Sequence, residues 1–206
     1  MCGKSWVVSI FVLALAALAC SGLPAASILF KDDFSDSSGG WKFTSSSTYQ
    51  DGQLVLRLDE ANTLIKTLIN APTLSNVHVE VTGQNSGRVS DEIFGVVCDY
   101  KDDGQAADYY FLGIGTDGYY VIGKSVKSDL TVLVEDTGNR FTDDTATYRV
   151  SADCGGGNLV LSVDGEQVAT IADTTYTRGD AGLFLASGKK AQAEASYDDF
   201  VVTTLK

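Results

Sequence analysis

The segment 148–168 reads YRVSADCGGGNLVLSVDGEQV and contains the pattern that recurs along most of the chain. From Tyr148 to Cys154 apolar and polar side chains alternate, which is typical of a β-strand with one buried face. The glycines of GGGN (155–158) and the pair Asp164-Gly165 then interrupt the alternation. Asp-Gly is typical of a tight hairpin because glycine accepts the positive φ of the turn. The segment therefore predicts three antiparallel strands joined by two hairpins.

Alternating runs of the same kind precede this segment. In Asn76–Thr82 (NVHVEVT) the three valines share one face of the predicted strand and the polar residues share the other. In Ile93–Tyr100 (IFGVVCDY) the alternation predicts one face made of Phe94, Val96, Cys98 and Tyr100. Cys98 and Cys154 each lie among apolar neighbours on a strand, an arrangement that suits a buried bridge between strands.

Further turn signals divide the rest of the chain into short strands. Asp51-Gly52 separates STYQ from QLVLRL, and Asp117-Gly118 separates YYFLGIGT from YYVIGKS. From Ile28 onward we count about a dozen short strands and no helix, at a spacing typical of a sandwich or barrel. There is no internal repeat and no second zone of composition, so we expect one all-β domain.

The charge balance excludes two classes of partner. The 206 residues include 15 Lys and Arg against 27 Asp and Glu, a net charge of −12. A protein that binds nucleic acid needs clustered Lys and Arg to contact phosphates, and no such cluster exists. The shortage of Lys and Arg also argues against a protein that binds anionic lipid through a polybasic surface. The hydrophobic content of 44% is that of a packed globular protein.

The N-terminal segment has the features of a secretory leader. Residues 6–18 (WVVSIFVLALAAL) are almost entirely apolar, and Lys4 is the single charge before Lys31. The run is shorter than the roughly 20 apolar residues that span a bilayer. A positive start, a short apolar core and small residues after it predict a signal peptide over 1–19. Cleavage after Ala25 or Ala26 is the alternative.

The cysteine count adds a prediction about anchoring. Of four cysteines, Cys2 leaves with the leader and an odd number remains, which needs an explanation in an exported protein. Cys20 follows Ala19 as in a bacterial lipobox, although Leu18 stands where a small residue is commoner. Lipidation of Cys20 would leave Cys98 and Cys154 as a disulfide pair in an oxidising compartment. In the alternative, Cys20 has no role.

These predictions divide the chain into three parts. We expect a signal peptide over 1–19, a short linker over 20–27 that begins at the lipidated Cys20, and one domain over 28–206. The expected location is the bacterial cell membrane, with the domain facing outside the cytoplasm, or the medium if Cys20 is not lipidated. Membrane contact is then expected through the lipid anchor alone.

The order of several short segments resembles a known superfamily. They are LFKDDFSDSSGGW (29–41), FGVVCDYKD (94–102) with TDGYY (116–120), YRVSADCGGGNLVLSVDGEQV, GDAGLFLAS (179–187) and YDDFVV (197–202). The series is similar to concanavalin A-like lectins and glucanases, in particular to laminin-G-like and 3-keto-disaccharide-hydrolase-like jelly-roll domains of bacterial exported lipoproteins. The resemblance implies a two-sheet antiparallel jelly-roll β-sandwich whose first and last strands are neighbours. It also implies a concave face that binds glycans in many relatives.

Aromatic residues are the candidate sugar contacts. Several tyrosines flank the predicted hairpin at Asp117-Gly118, and alternation sends half of them away from the core. Tyrosine rings pack on the C–H faces of sugars while acids and guanidinium groups bind hydroxyls. The candidate carbohydrate-binding set is Glu80, Asp99, Tyr109, Tyr119 and Arg149. Tyrosine is also a favourable strand residue, so a purely structural role is the competing interpretation.

Catalysis is less strongly indicated than binding. Jelly-roll glucanases carry their acids on one strand as Glu-x-Asp-x-x-Glu, a spacing that this sequence lacks. No GxSxG nucleophile motif occurs near the single histidine, His78. We therefore expect a noncatalytic carbohydrate-binding module. A structural or protein-interaction domain is the alternative, and a glycoside hydrolase is the third hypothesis. We expect no catalytic residue.

A structural calcium ion is the one cofactor that the sequence raises. Because the resemblance makes the first and last strands neighbours, four acids would lie near one another: Asp32, Asp33, Asp198 and Asp199. Several hard oxygen ligands in one place suit Ca²⁺. The competing interpretation is that these acids discourage pairing at a strand edge. Otherwise we expect no cofactor.

Overall fold

The computed structural model describes residues 26–85 and 91–205, which form fifteen β-strands and no helix. Accordingly, this part of the chain contains no helix that could cross a membrane. The predicted signal peptide (1–19) and the predicted lipidation site, Cys20, lie outside the described residues.

The strands follow one another through short connections. In chain order they are β1 (Ile28–Asp32), β2 (Trp41–Lys42), β3 (Ser47–Gln50), β4 (Gln53–Leu58), β5 (Leu64–Ile69), β6 (Val77–Asn85), β7 (Ile93–Asp102), β8 (Ala107–Gly115), β9 (Tyr119–Val126), β10 (Asp129–Thr137), β11 (Thr147–Gly155), β12 (Asn158–Val163), β13 (Glu166–Ala172), β14 (Asp180–Ala186) and β15 (Ala193–Thr204).

The strands form two antiparallel sheets packed as a sandwich. The eight-stranded sheet has the order β13-β12-β11-β6-β15-β4-β3, and β1 pairs with β15 beyond the end of β4. The seven-stranded sheet has the order β10-β9-β8-β7-β14-β5-β2. The predicted fold class is therefore confirmed, and so is the expected pairing of the first strand with the last.

The core lies between the sheets and is built by the alternation seen in the sequence. Val77, Val79 and Val81 of β6 are buried, as are Val150 and Ala152 of β11. Burial of each large apolar side chain stabilises the fold by about 1.5–3 kcal/mol. The polar residues between them face outward on the eight-stranded sheet.

The predicted disulfide crosses this core. Cys98 of β7 bonds to Cys154 of β11, with 6.5 Å between the Cα atoms. Because β7 and β11 belong to different sheets, the bond ties the two halves of the sandwich together.

The predicted glycine hairpins are also confirmed. Asp51 and Gly52 join β3 to β4 with φ values of 54° and 77°, and Asp164 and Gly165 join β12 to β13 with 53° and 81°. Two successive positive φ values are those of a turn whose twist matches the flanking strands. Local sequence therefore determines these connections.

One face assignment in β7 was wrong. Tyr100 does not share the inner face with Cys98, because the register of β7 against β8 shifts between Cys98 and Lys101. Asp99 begins this bulge with φ 53°, and two residues of β7 there oppose one of β8. The extra residue turns Tyr100 to the outer face, where its ring lies 5.6 Å from that of Tyr109.

Candidate functional site

The outer face of the seven-stranded sheet is concave. Leu64 and Lys66 of β5 line the same hollow as Leu130 of β10, and the hollow holds only about 220 Å³. Four strands lie between β5 and β10, which would separate them by roughly 24 Å on a flat sheet. The two sides of the sheet therefore curl toward each other over its middle strands.

Apolar side chains form the floor of this concave face. Its members are Leu68, Val97, Ala107, Tyr109, Phe111, Val121 and Phe184. Glycines let the rings lie flat on the sheet: a Cβ at Gly123 would collide with the ring of Phe111, and one at Gly113 would collide with that of Phe184. The two phenylalanines are therefore buried although they face away from the core. The floor is filled, and contacts with a ligand fall to the residues around it.

At one end of the floor a lysine lies over two tyrosine rings. The Lys66 Nζ is 5.4 Å from the ring centre of Tyr100 and 4.9 Å from that of Tyr109, within cation–π range. The Tyr100 hydroxyl donates a hydrogen bond of 3.0 Å to Asp102, which holds the ring in place. Burial lowers the pKa of Lys66, and the Asp102 carboxylate partly opposes this shift.

At the other end of the floor a second tyrosine is held by an acid. The Tyr119 hydroxyl donates to the carboxylate of Glu135 on β10. Burial, followed by this hydrogen bond, raises the pKa of the Tyr119 phenol. Tyr119 lies six residues from Ser125, which pairs with Tyr109, so the two ends are roughly 20 Å apart. Half-buried tyrosines with carboxylate partners thus flank a long apolar floor.

The structure divides the predicted carbohydrate-binding set between the two sheets. Tyr109 and Tyr119 lie on the concave face, and Asp99 lies in the bulge next to Tyr100. Glu80 and Arg149 lie on the outer face of the eight-stranded sheet, where the Arg149 guanidinium donates to Glu80 at 2.5 Å. The five residues therefore do not meet at one place.

The single histidine belongs to the same outer face as Glu80. His78 Nδ1 lies 2.6 Å from Asp153 Oδ1, and its Nε2 lies 3.8 Å from Glu80. The hydrogen bond to Asp153 raises the pKa of His78, although burial opposes the shift, and Glu80 adds to it. This network covers neighbouring strands of the sheet and lies far from the concave face.

Asp99 is a buried carboxyl group. Its exposed fraction is 4%, and its Oδ1 has no hydrogen-bond partner among the described residues. Burial raises the pKa of Asp99 to about 6, although Lys101 opposes the shift. The carboxylate form is thus disfavoured relative to an aspartate in water.

Three of the four acids considered for calcium already accept hydrogen bonds from neighbouring groups. Asp32 accepts hydrogen bonds from the Trp41 indole at 2.8 Å, the Tyr49 hydroxyl at 3.2 Å and the Phe34 backbone. Asp33 and Asp198 each accept from a nearby backbone N–H, at 3.1 and 2.7 Å. Residues 26–85 and 91–205 contain no group of three His, Cys, Asp or Glu side chains that could hold a metal ion. Calcium at Asp32, Asp33, Asp198 and Asp199 stays a prediction that this geometry does not favour.

Sequence reasoning did not select two residues of the concave face. Lys66 lies in LIKTLI between Leu64 and Leu68, and alternation alone would have placed this charge on an apolar face. A lysine on an otherwise apolar strand face was the feature of the sequence that could have identified Lys66 as a candidate. Tyr100 was missed because the bulge at Asp99, which reverses its direction, involves no glycine.

Comparisons with known proteins agree with the architecture. No protein-family model matches the chain, and no curated protein is significantly similar to it. Among solved structures, the carbohydrate-binding module CBM66 from Bacillus subtilis superposes with a TM-score of 0.67 and 13% identity, over 80% of this chain and 96% of that one. A Bacillus licheniformis beta-glucanase gives 0.63 and 14%, over 86% and 98%. A Bacillus subtilis protein of unknown function with a galectin-like fold gives 0.65 and 14%, over 88% and 100%.

These identities establish a shared fold and no more. The two antiparallel sheets, the pairing of the first strand with the last and the near-complete coverage of all three structures lead to one conclusion. The chain has the concanavalin A-like jelly-roll fold found in lectins and glucanases.

Proposed function

We propose that this protein is a noncatalytic carbohydrate-binding module that acts outside the cytoplasm, anchored in the envelope through a lipid on Cys20. The observation that carries the proposal is the concave face, a long apolar floor with a carboxylate-held tyrosine at either end. Apolar rings suit the C–H faces of sugars, and the carboxylates suit their hydroxyl groups. The roughly 20 Å along the floor from the position of Tyr109 to Tyr119 suits an oligosaccharide better than a single sugar ring.

The positions of the acids favour binding over catalysis. Glycoside hydrolysis uses two carboxyl groups on either side of the scissile bond. On the concave face Asp102 accepts from Tyr100, Glu135 accepts from Tyr119, and Asp180 forms an ion pair of 2.6 Å with a lysine. These acids lie around the edge of the floor, and each already accepts a hydrogen bond from a neighbouring side chain. We therefore assign them a role in positioning the ligand.

The disulfide supports the proposed location. Disulfides persist in oxidising compartments and are rare in the cytosol. The bond between Cys98 and Cys154 is buried in the core and joins the two sheets. The bond is consistent with export. The proposed lipid anchor at Cys20 is a separate prediction, which metabolic labelling with a fatty acid tests.

A glycan array followed by calorimetry tests the proposal. We expect the purified protein to bind at least one oligosaccharide, and Tyr100→Ala and Tyr119→Ala each to weaken that binding roughly tenfold, the effect of losing one ring contact. Phe43→Ala is the matched control, since Phe43 is an exposed ring that packs against Tyr49 of the eight-stranded sheet. Absence of binding to every oligosaccharide, or unchanged affinity in both tyrosine variants, would overturn the proposal.

The edge strand β10 favours a second candidate, a surface domain that contacts another protein. Leu130 and Val132 are 53% and 48% exposed on this edge, and an edge strand can pair with a strand from another chain. A protein that binds no glycan and self-associates in sedimentation experiments, with association lost in Val132→Lys, would favour this candidate.

A further inference from the structure

The Lys66 end of the concave face contains a defined hollow. It is lined by Leu64, Lys66, Ala107, Tyr109, Ser125, Ser128 and Leu130 and measures about 220 Å³. The volume lies below the roughly 300 Å³ at which ordinary small-molecule pockets begin. It therefore suits one group projecting from a ligand that extends along the floor.

The charge of this hollow differs from that of the surrounding surface. The protein carries 27 acids against 15 bases. Four other hollows among the described residues each include at least one carboxylate in the lining. The hollow at Lys66 includes a lysine and no carboxylate. Three of those four also include an arginine or a histidine, so of these five only the hollow at Lys66 has a positive charge with no carboxylate in its lining.

The lysine in this hollow has no ion-pair partner in the described chain. Lys42 pairs with Asp180 and Lys124 pairs with Asp173, each at 2.6 Å, whereas no carboxylate lies within ion-pair distance of Lys66. Its contacts are the rings of Tyr100 and Tyr109. Asp102 acts on Lys66 only from beyond ion-pair distance. A half-buried charge without a direct partner is costly, and a ligand anion in contact with it would relieve that cost.

The serines of the hollow add a directed donor. The Ser128 Oγ accepts a hydrogen bond of 3.1 Å from the Ala107 N–H, which leaves its hydroxyl proton available to a ligand. The Ser125 hydroxyl is already used, because it donates to the Ala107 carbonyl at 2.7 Å. One ammonium group and one hydroxyl proton suit the two oxygens of a carboxylate.

We propose that the hollow at Lys66 binds the carboxylate of an acidic sugar, so that the module recognises a saccharide containing uronic acid. The inference rests on the proposed function and specifies its ligand class. The ammonium group of Lys66 donates a charge-assisted hydrogen bond to one carboxylate oxygen, and the Ser128 hydroxyl donates to the other. The rest of the saccharide extends along the floor toward Tyr119.

Matched pairs of oligosaccharides test this inference. The probes are tetrasaccharides of galacturonate, glucuronate and mannuronate, each compared with its carboxyl-reduced neutral form. We expect at least one acidic form to bind ten- to a hundredfold more tightly than its neutral form, the size of a charge-assisted contact. Lys66→Gln should remove that preference, and Lys66→Arg should retain it. Lys31→Gln, which removes the same charge from an exposed strand of the other sheet, should change nothing.

The outcomes separate the two proposals. If neutral oligosaccharides bind as tightly as acidic ones, or if folded Lys66→Gln keeps the preference, the acidic-sugar inference fails while carbohydrate binding stands. If no saccharide of either kind binds, both proposals fail. Thermal unfolding of each variant establishes that it is folded. If Lys66→Gln does not fold, the wild-type comparison of acidic with neutral saccharides still decides, because equal affinities overturn the inference.

Discussion

Asp99 combines three features that are individually uncommon for an aspartate. Its φ of 53° lies in the left-handed region, its side chain is buried, and its Oδ1 has no hydrogen-bond partner among the described residues. Aspartate and asparagine tolerate the left-handed conformation better than most residues. The bulge that Asp99 begins turns Tyr100 toward Lys66, so this residue shapes the hollow through the backbone.

The buried carboxyl predicts a pH-dependent stability effect. The pKa of Asp99 rises from 3.8 to about 6 on folding, so ionisation above pH 6 destabilises the native state, and this cost disappears as the pH falls toward 4. We expect Asp99→Asn to raise the free energy of unfolding by on the order of 2 kcal/mol at pH 7 and to have little effect at pH 4. Urea denaturation at both values measures the difference.

The control for this prediction uses another aspartate of the same backbone conformation. Asp51 has φ 54° and lies exposed in the β3–β4 turn, so Asp51→Asn should give no comparable pH-dependent gain. If Asp99→Asn raised the free energy of unfolding equally at pH 4 and pH 7, the argument from burial of the carboxylate would be contradicted.

At the scale of elements, the β9–β10 turn forms without the residues that usually make such turns. Lys127 and Ser128 have φ values of 51° and 70°, which normally favour Asn-Gly. The start of β8 holds them in place: the Lys127 N–H donates to Asp108 at 2.7 Å, and the Ser128 N–H donates to the Ala107 carbonyl at 3.0 Å. These contacts also fix Ser128 at the hollow, so the turn is strained and positions a binding residue.

Replacing the first turn residue should relieve this strain. We expect Lys127→Asn to stabilise the protein by on the order of 0.5–1 kcal/mol, because asparagine adopts the left-handed conformation at lower cost. Lys127→Ala removes the same charge without that preference and should give no gain. Denaturant midpoints of the two variants measure the effect, and equal midpoints would show that the turn is unstrained.

At the scale of the whole molecule, the disulfide is the covalent link between the sheets. It joins positions 56 residues apart in sequence, and both cysteines are buried in the core. In the chain-entropy view, closing a loop of this length restricts the unfolded chain far more than the folded one. The bond therefore stabilises the whole sandwich and not a single hairpin.

Removing the link should lower the stability of the whole domain. We expect the double substitution Cys98→Ala and Cys154→Ala to reduce the free energy of unfolding by about 4 kcal/mol. Adding a reductant to the wild type should lower its urea midpoint in the same direction, whereas the double variant should not respond. A wild type that is unaffected by the reductant after complete reduction would contradict this prediction.

Local patterns in the chain were enough to predict most of the strands, their buried faces and the main hairpin turns. Alternation in NVHVEVT and YRVSADC identified the inward residues, and Asp-Gly pairs located hairpins, because side-chain direction and turn conformation depend on neighbours within a few residues. The cysteine pairing followed from the same local information combined with the count of cysteines.

Which outward faces come together depends on the folding of the whole sandwich. Glu80 and Tyr109 both face outward, yet they lie on different sheets, since strand order depends on pairings such as β7 with β14 between segments far apart in sequence. Lys66 meets Tyr109 because the seven-stranded sheet curls, and Tyr100 joins them because one extra residue at Asp99 reverses the alternation. Curvature and long-range pairing arise from packing of the whole sandwich, and no local pattern encodes them.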